Sequence, residues 1–292
     1  MKQNLLQQLN GRMSDFSKGQ RQIASYILEH YDRAAYMTAA KLGAEVKVSE
    51  STVVRFADEL GFGGYPGLQQ ALQELAKTHL TAAQRMDVAD NLLGRDNVLE
   101  KVLLGDADMI RRTLDGLDKT AFYAAVDKIV HARNIYILGS RSSASLAGFL
   151  TFNFRMMFDN VRNVEMSSGS EMFEQILNIG AEDVLIAISF PRYSKRTVRA
   201  VRFAHNAGAD VVSITDSTAS PIAAECDQLL TAKSDMASFV DSLVAPLSII
   251  NAMVAAVSMS CHEQVAARLR RLEEIWDEYD VYDKNSGCGP PQ

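Results

Sequence analysis

Two kinds of hydrophobic pattern divide the chain. In residues 1–77, apolar side chains recur at helical spacing, and helix-capping residues precede them at Ser17, Thr38 and Ser49. Between residues 78 and 119 the pattern stays helical but polar residues interrupt it, which predicts a linker and a connecting helix. We therefore expect an all-α N-terminal domain followed by a linker.

From Asn134 onwards the period changes to short apolar runs separated by helical stretches. This alternation predicts an α/β domain over residues 120–284, with a parallel sheet flanked by helices. Residues 285–292 are rich in Gly and Pro and are expected to be disordered. The predicted strands are Ile135–Leu138, Val161–Val164, Val184–Ile188, Val211–Ile214 and Gln228–Thr231.

The segment from Thr38 to Gly61 has the pattern of a helix-turn-helix. In its second helix, apolar residues fall at i, i+3, i+4 and i+7, which predicts one buried stripe formed by Val53, Phe56, Ala57 and Leu60. A plain helical hairpin in a bundle would have the same spacing, so spacing alone leaves both interpretations open. Lys47 also stands where such turns often have glycine.

If the segment does bind DNA, the face opposite the buried stripe makes the contacts. The N-terminal residues of a recognition helix enter the major groove. Arg55 can contact guanine through two hydrogen bonds, and the serine and threonine hydroxyls can reach phosphates or base edges. The predicted DNA-binding residues are Thr38, Ser49, Glu50, Ser51, Thr52 and Arg55.

In the second domain, four predicted strands lead into segments rich in serine and threonine. Because the carboxyl ends of parallel strands meet at one edge of a sheet, these hydroxyls and the helix N-termini behind them suit a phosphate and a polyol. The first segment lacks the later glycines of the dinucleotide fingerprint, and no Walker A sequence occurs, which disfavours a nucleotide. The segments are Gly139–Ser143, Ser167–Ser170, Ser189–Ser194 and Thr215–Thr218.

Charge and cysteine content limit the classes of protein to which the chain can belong. The net charge is −6, but residues 1–77 hold nine basic and eight acidic residues, so this segment is +1 and the remainder −7. Overall acidity argues against indiscriminate nucleic-acid binding and leaves room for a small DNA-reading module. The three cysteines lie far apart, which favours a reducing compartment and predicts neither a metal site nor a cofactor.

The stretch Ser242–Cys261 carries no charged side chain and is long enough to cross a bilayer. It contains Pro246 and several serines, and charged residues flank it, so we expect a helix buried in the core or in a subunit interface. Its apolar character predicts a homodimer or homotetramer. No apolar leader opens the chain, so a cytoplasmic protein is expected.

A resemblance to a known family supports the DNA-binding interpretation. The run Val48–Phe56, with Leu60–Phe62 and Gly64–Tyr65 behind it, resembles the DNA-binding domain of the RpiR family. The resemblance extends over the first 77 residues and includes Ser17–Leu28. It implies a bacterial transcription regulator that binds double-stranded operator DNA and carries a sugar isomerase (SIS) domain sensing a phosphorylated sugar.

Roughly residues 120–262 resemble that SIS domain. The family's first phosphate loop has the pattern Gly-x-Gly-x-Ser, which Gly139 and Ser143 match, while Arg141 replaces the middle glycine. The resemblance implies that Ser143 binds phosphate, with Ser142 as its neighbour.

The second phosphate loop of the family has the pattern Ser-x-Ser-Gly-x-Thr. Ser189 matches its first position and Ser194 stands at the threonine, while Pro191 and Arg192 replace Ser-Gly. The two arginine departures either add charge-assisted contacts to an anion or indicate a ligand other than the usual sugar phosphates. The predicted effector-binding residues are Ser142, Ser143, Ser189, Arg192 and Ser194.

Two other functions compete with ligand-controlled DNA binding. SIS domains also occur in sugar-phosphate isomerases, which need a general base. Candidates by rough location are Glu171, Glu174, Glu225 and His262, but none sits in a catalytic motif, so we assign no catalytic residue. An architectural DNA binder without ligand control is the second alternative, and the serine-lined strand ends argue against it.

Overall fold

The computed structural model describes residues 5–94, 96–165 and 169–282. It divides into two compact units: the first runs to Gly105 and adds the segment Asp235–Ser242, and the second takes the rest of the chain. A helical region comes first, and a parallel sheet flanked by helices follows, which confirms the predicted fold class.

The first unit is built from amphipathic helices around one core. The helices are α1 (Leu5–Gly11), α2 (Lys18–Ala34), α3 (Ala39–Glu45), α4 (Glu50–Glu59), α5 (Tyr65–His79) and α6 (Ala82–Leu93). Ser17 and Gln20 form the predicted capping box at the start of α2. Fully buried side chains of α2 to α5, among them Ile27, Leu42 and Phe56, make the centre of the core.

Helix α6 belongs to this unit, although the sequence pattern placed a linker here. Arg85 of α6 is 2% exposed, and its guanidinium donates to both carboxylate oxygens of Asp241, at 2.7 and 3.2 Å, and to the Phe239 carbonyl at 3.2 Å. The segment Asp235–Ser242, predicted to lie within residues 120–284, is thereby held in the first unit. Sequence periodicity could not find this contact, because an arginine ordinarily marks an exposed position.

The second unit contains the five predicted strands, all parallel, in the order β2-β1-β3-β4-β5. They are β1 (Ile135–Gly139), β2 (Val161–Val164), β3 (Val184–Ile188), β4 (Asp210–Thr215) and β5 (Gln228–Thr231). Every residue of β1 and β3 is buried, as expected of strands covered on both faces. The strand order reverses between β1 and β3, where open α/β sheets bind ligands.

Helices cover both faces of the sheet. The boundary between the two units falls within helix α7 (Val98–Gly116). The helices that follow are α8 (Lys119–His131), α9 (Ser142–Met157), α10 (Gly169–Gln175), α11 (Lys195–Asn206), α12 (Val244–Ser260) and α13 (His262–Glu278). Leu146 and Phe154 of α9 pack in a core with α8 and α12, whereas Ala200 and Val201 of α11 pack in the core on the other face. The chain thus leaves β1 and β3 towards opposite faces of the sheet.

The uncharged stretch Ser242–Cys261 forms α12, and one face of this helix is buried in the core of its own unit. Within the described residues, no single helix is long and apolar enough to cross a membrane.

The Arg85–Asp241 pair predicts a large stability effect from one substitution. Arg85→Ala leaves the Asp241 carboxylate, 13% exposed, without its counter-charge, so the free energy of unfolding should fall by about 3–5 kcal/mol. Arg111→Ala, which removes an ion pair from a side chain 73% exposed, is the control and should cost at most about 1 kcal/mol. Chemical denaturation of both variants measures the difference. Equal losses would contradict the structural role of the pair.

Candidate DNA-binding surface and effector site

Helices α3 and α4 form the predicted helix-turn-helix. Lys47, in the turn between them, adopts φ +59°, the left-handed conformation for which such turns often use glycine. Gly43 of α3 lies where the chain after the turn passes closely, since an added Cβ would be 2.8 Å from the Val48 carbonyl oxygen. The Val48 amide donates to the Gly43 carbonyl at 2.8 Å. The close approach of the two helices therefore depends on glycine at position 43.

The second of these helices, α4, has the predicted two faces. Val53, Phe56, Ala57 and Leu60 are buried. Glu50, Ser51 and Arg55 are exposed, and Thr52 is half-buried. The Arg55 Nε donates to the Ser51 carbonyl at 3.4 Å, which keeps this side chain beside the first turn of α4.

Ser49 caps the N-terminus of α4 and Thr38 caps the N-terminus of α3, as predicted. The Ser49 hydroxyl accepts from the Thr52 amide at 3.3 Å and lies 2.9 Å from the Ser51 hydroxyl and 2.8 Å from the Thr52 hydroxyl. Thr38 is exposed and accepts from the Lys41 amide at 3.2 Å. Capping explains both residues structurally, and their exposure leaves the same hydroxyls accessible to a phosphate.

In the second unit, the loop after β1 forms a tight turn at the sheet edge. Arg141 has φ +57° and ψ −124°, near the first central position of a type II′ turn, and the Ser143 amide donates to the Ser140 carbonyl at 3.2 Å to close the turn. Ser142 is exposed and begins α9. Ser143 is 4% exposed, and in the described part of the chain its hydroxyl has no hydrogen-bond partner.

The loop after β3, like the loop after β1, carries a buried serine and an arginine with positive φ. Ser189 is 3% exposed, and its hydroxyl likewise has no hydrogen-bond partner among the described residues. Arg192 is exposed and has φ +67°. Ser194 caps α11 by accepting from the Thr197 amide at 3.4 Å. The Thr197 hydroxyl is fully buried and, among described atoms, also unpartnered; nothing in the sequence pattern singled it out.

Among the described residues of the four serine- and threonine-rich segments, the two segments that follow β1 and β3 carry buried serines whose hydroxyls have no partner. At the end of β4, Thr215 donates to Asp216 at 3.1 Å and its hydroxyl lies 2.8 Å from that of Ser220. Tyr193, from the β3 loop, donates to the same Asp216 carboxylate at 2.7 Å. The β4 segment therefore supports the β3 loop. In the segment after β2, Ser167 and Ser168 lie outside the described residues.

The four candidate bases for an isomerase lie in three parts of the second unit: α10, the segment before β5 and the start of α13. Glu225 forms an ion pair with Arg202 at 2.9 Å. Glu171 and Glu174 are exposed on α10, and His262 is exposed at the start of α13. Within the described residues, no group of His, Cys, Asp and Glu has the arrangement of a metal site.

Comparison with known families agrees with this geometry. A model of the helix-turn-helix domain of the rpiR family matches residues 3–78, and a model of the SIS domain matches residues 128–256. The chain belongs to the RpiR family of transcription regulators, with a helix-turn-helix domain followed by a SIS domain.

Individual relatives support the same class. The chain is 26% identical over 279 residues to the HTH-type transcriptional regulator HexR of Pseudomonas aeruginosa, covering 93% of this chain and 95% of the relative. HexR of Escherichia coli is 26% identical over 286 residues, covering 94% and 95%. The protein is thus a helix-turn-helix transcription regulator, as the sequence resemblance implied.

Two solved structures share the fold. The sugar isomerase domain of an RpiR transcription factor from Sphaerobacter thermophilus is 25% identical with a TM-score of 0.57, covering 60% of this chain and 97% of that one. The Vibrio vulnificus NanR protein, complexed with ManNAc-6P, is 20% identical with a TM-score of 0.59, covering 94% and 99%.

Proposed function

We propose that α4 binds operator DNA and that a phosphorylated sugar, bound by the loops after β1 and β3, controls this binding. The observation that carries the proposal is a pair of serines at the sheet edge, Ser143 and Ser189, which are 4% and 3% exposed and whose hydroxyls have no partner among the described residues. An uncommitted hydroxyl can donate to a phosphate oxygen, which favours a ligand as its partner. The presence of ManNAc-6P in the related NanR structure supports a phosphosugar.

The phosphate would sit between two helix N-termini. The helices α9 and α11 begin directly after these loops, and the positive end of each helix dipole favours an anion. Ser143 and Ser189 would donate their hydroxyl hydrogens to phosphate oxygens. Ser142 and Ser194 stand at the first turn and the N-cap of the same helices and would complete the set with Arg192.

On the DNA side, α4 would lie in the major groove. Arg55 is exposed opposite the buried stripe and would contact a guanine, while Ser51 and the half-buried Thr52 would contact the backbone or base edges. Ser49 and Thr38 would fix the position of the two helices against phosphates. Glu50 would act on specificity, since a carboxylate accepts from cytosine and is repelled by phosphate.

We propose sensing rather than turnover for the SIS domain. The candidate bases are exposed or ion-paired, whereas Ser143 and Ser189, whose hydroxyls suit phosphate binding, are 4% and 3% exposed. The relatives that match over nearly the whole chain are named as regulators.

We also propose that the regulator acts as at least a homodimer. One helix-turn-helix reads few base pairs, and two copies on a two-fold axis gain affinity by acting together. The buried face of α12 is used inside its own subunit, while α7 exposes Leu99, Leu103 and Leu114 at 75%, 59% and 61%. These exposed leucines favour α7 as part of the subunit contact.

Substitution of Arg55 tests the DNA-binding surface. Arg55→Ala should lose about 1–3 kcal/mol of discrimination at one base pair, because the side chain reads a base edge and is exposed in the free protein. Arg271→Ala, at an exposed position on α13, is the charge-matched control and should bind operator DNA as the parent does. Fluorescence anisotropy on operator and single-base variants provides the measurement. Unchanged affinity and selectivity for Arg55→Ala would reject α4 as the reading helix.

Substitution of the two buried serines tests the effector site. Ser143→Ala and Ser189→Ala should each weaken phosphosugar binding by about 1–3 kcal/mol, because each loses a hydrogen bond to a charged group. Thermal stability without ligand should stay the same or rise, since neither hydroxyl has a partner among the described residues. Calorimetry and thermal unfolding measure the two effects.

Ser258→Ala is the matched control for these variants, because its exposed hydroxyl donates to the Ala255 carbonyl within α12. Phosphosugar affinity should be unchanged in this variant, and the sugar recovered from the parent protein should be unaltered. Full affinity in both Ser143→Ala and Ser189→Ala would reject the site, and conversion of the sugar would reject sensing without turnover.

A further inference from the structure

The turn between α3 and α4 has the backbone of a glycine turn, but a lysine occupies it. Lys47 has φ +59°, a region that residues with a side chain rarely adopt. The Lys47 amide donates to the Ala44 carbonyl at 3.3 Å. The Val48 amide donates to the Gly43 carbonyl at 2.8 Å, and helices commonly end with this pair of bonds around a left-handed glycine. Glycine at position 47 would therefore form the same turn with less strain.

The Lys47 side chain has no partner in the described part of the chain. It is exposed, and it makes no hydrogen bond or ion pair with a described residue. Val48 packs against the core, and Ser49, the N-cap of α4, is exposed again. Lys47 thus stands two residues before the end of α4 that is proposed to enter the major groove. Strained backbone conformations persist where function requires them, which favours an interaction of Lys47 outside the free protein.

A second lysine lies near the same end of α4. A Cβ added at Gly19 would be 3.4 Å from the Val48 Cγ1 and 3.6 Å from the Thr52 Cγ2, so the first turn of α2 packs against the start of α4. Lys18 is the first residue of that turn, and it is exposed and has no ion pair with a described residue. The positive end of a helix dipole disfavours a cation, and this turn contains no acidic residue that would offset the effect. Each lysine therefore occupies a position that the fold by itself disfavours.

We propose that Lys47 and Lys18 bind phosphates of the DNA backbone that border the groove occupied by α4. The inference rests on the proposed binding of operator DNA by α4. Phosphate contacts carry no sequence information, but they supply affinity that falls with salt, because each neutralised phosphate releases condensed counterions. Arg55 reads base edges, and the two lysines add a sequence-independent share of the affinity. Lys47 thereby lowers the stability of the turn while it raises the affinity for DNA.

Substitution of Lys47 separates folding from binding. Lys47→Gly removes the ammonium group and supplies the residue that the turn favours, so the melting temperature should stay the same or rise. Fluorescence anisotropy at a series of NaCl concentrations would use a duplex selected from random sequence by the parent protein and a scrambled version of that duplex. The affinity should fall by the same factor for both duplexes, and the slope of log K against log salt concentration should become shallower by about 0.9. Lys47→Arg keeps the charge and should keep the parent's slope.

A matched pair of lysine variants tests the second contact. Lys18→Gln should also make the slope shallower by about 0.9, and the double variant Lys18→Gln/Lys47→Gly by about twice that amount. Lys119→Gln is the control, because Lys119 is exposed and is the first residue of α8, as Lys18 is the first residue of α2. The control should keep both the affinity and the slope of the parent.

The outcomes distinguish this inference from the function it rests on. An unchanged salt slope in both Lys47→Gly and Lys18→Gln, while Arg55→Ala loses selectivity, overturns the backbone contacts and leaves α4 as the reading helix. A loss of affinity confined to the selected duplex also overturns them, since phosphate contacts do not depend on sequence. If the parent binds its selected duplex no more tightly than the scrambled one, the proposed function is overturned and the inference with it.

Discussion

The parallel pairing of β1 with β3 is the constraint on which the proposed effector site depends. Gly139 pairs with Ile188 at the ends of these strands, so both loops begin at the same level of the sheet. From there the chain enters α9 on one face and α11 on the other. The loops diverge at the carboxyl edge, the place where open α/β sheets bind ligands. Ser143 and Ser189 follow the two strands at this edge.

Much of this arrangement could be predicted from the sequence because its signals are local. Buried parallel strands appear as short apolar runs, and capping residues such as Ser17 and Ser49 mark where helices begin. Four serine-rich segments looked equivalent in the sequence, however. The structure distinguishes these segments. The Thr215 hydroxyl donates to Asp216 and lies within hydrogen-bond distance of the Ser220 hydroxyl. Ser143 and Ser189, in contrast, follow β1 and β3, the two strands between which the strand order reverses.

Contacts between distant parts of the chain could not be predicted in this way. Arg85 and Asp241 are 156 residues apart, and neither hydrophobic periodicity nor a motif links them. Positive φ at Arg141 and Arg192 is equally invisible to a residue pattern. From the sequence, these arginines are only departures from a family motif. The structure adds that both arginines have positive φ, the conformation for which glycine is best suited.

The proposed regulator would couple two ligands, one in each unit, and such a coupling is reciprocal by thermodynamic necessity. Whatever factor the phosphosugar imposes on operator affinity, the operator must impose on phosphosugar affinity. Titration of the phosphosugar into the full chain, with and without saturating operator DNA selected from random sequence, measures this factor directly. We predict a change in phosphosugar affinity of about 5- to 150-fold, equal to the change in operator affinity measured separately. Tight binding of both ligands with no change in either affinity would contradict effector control of DNA binding.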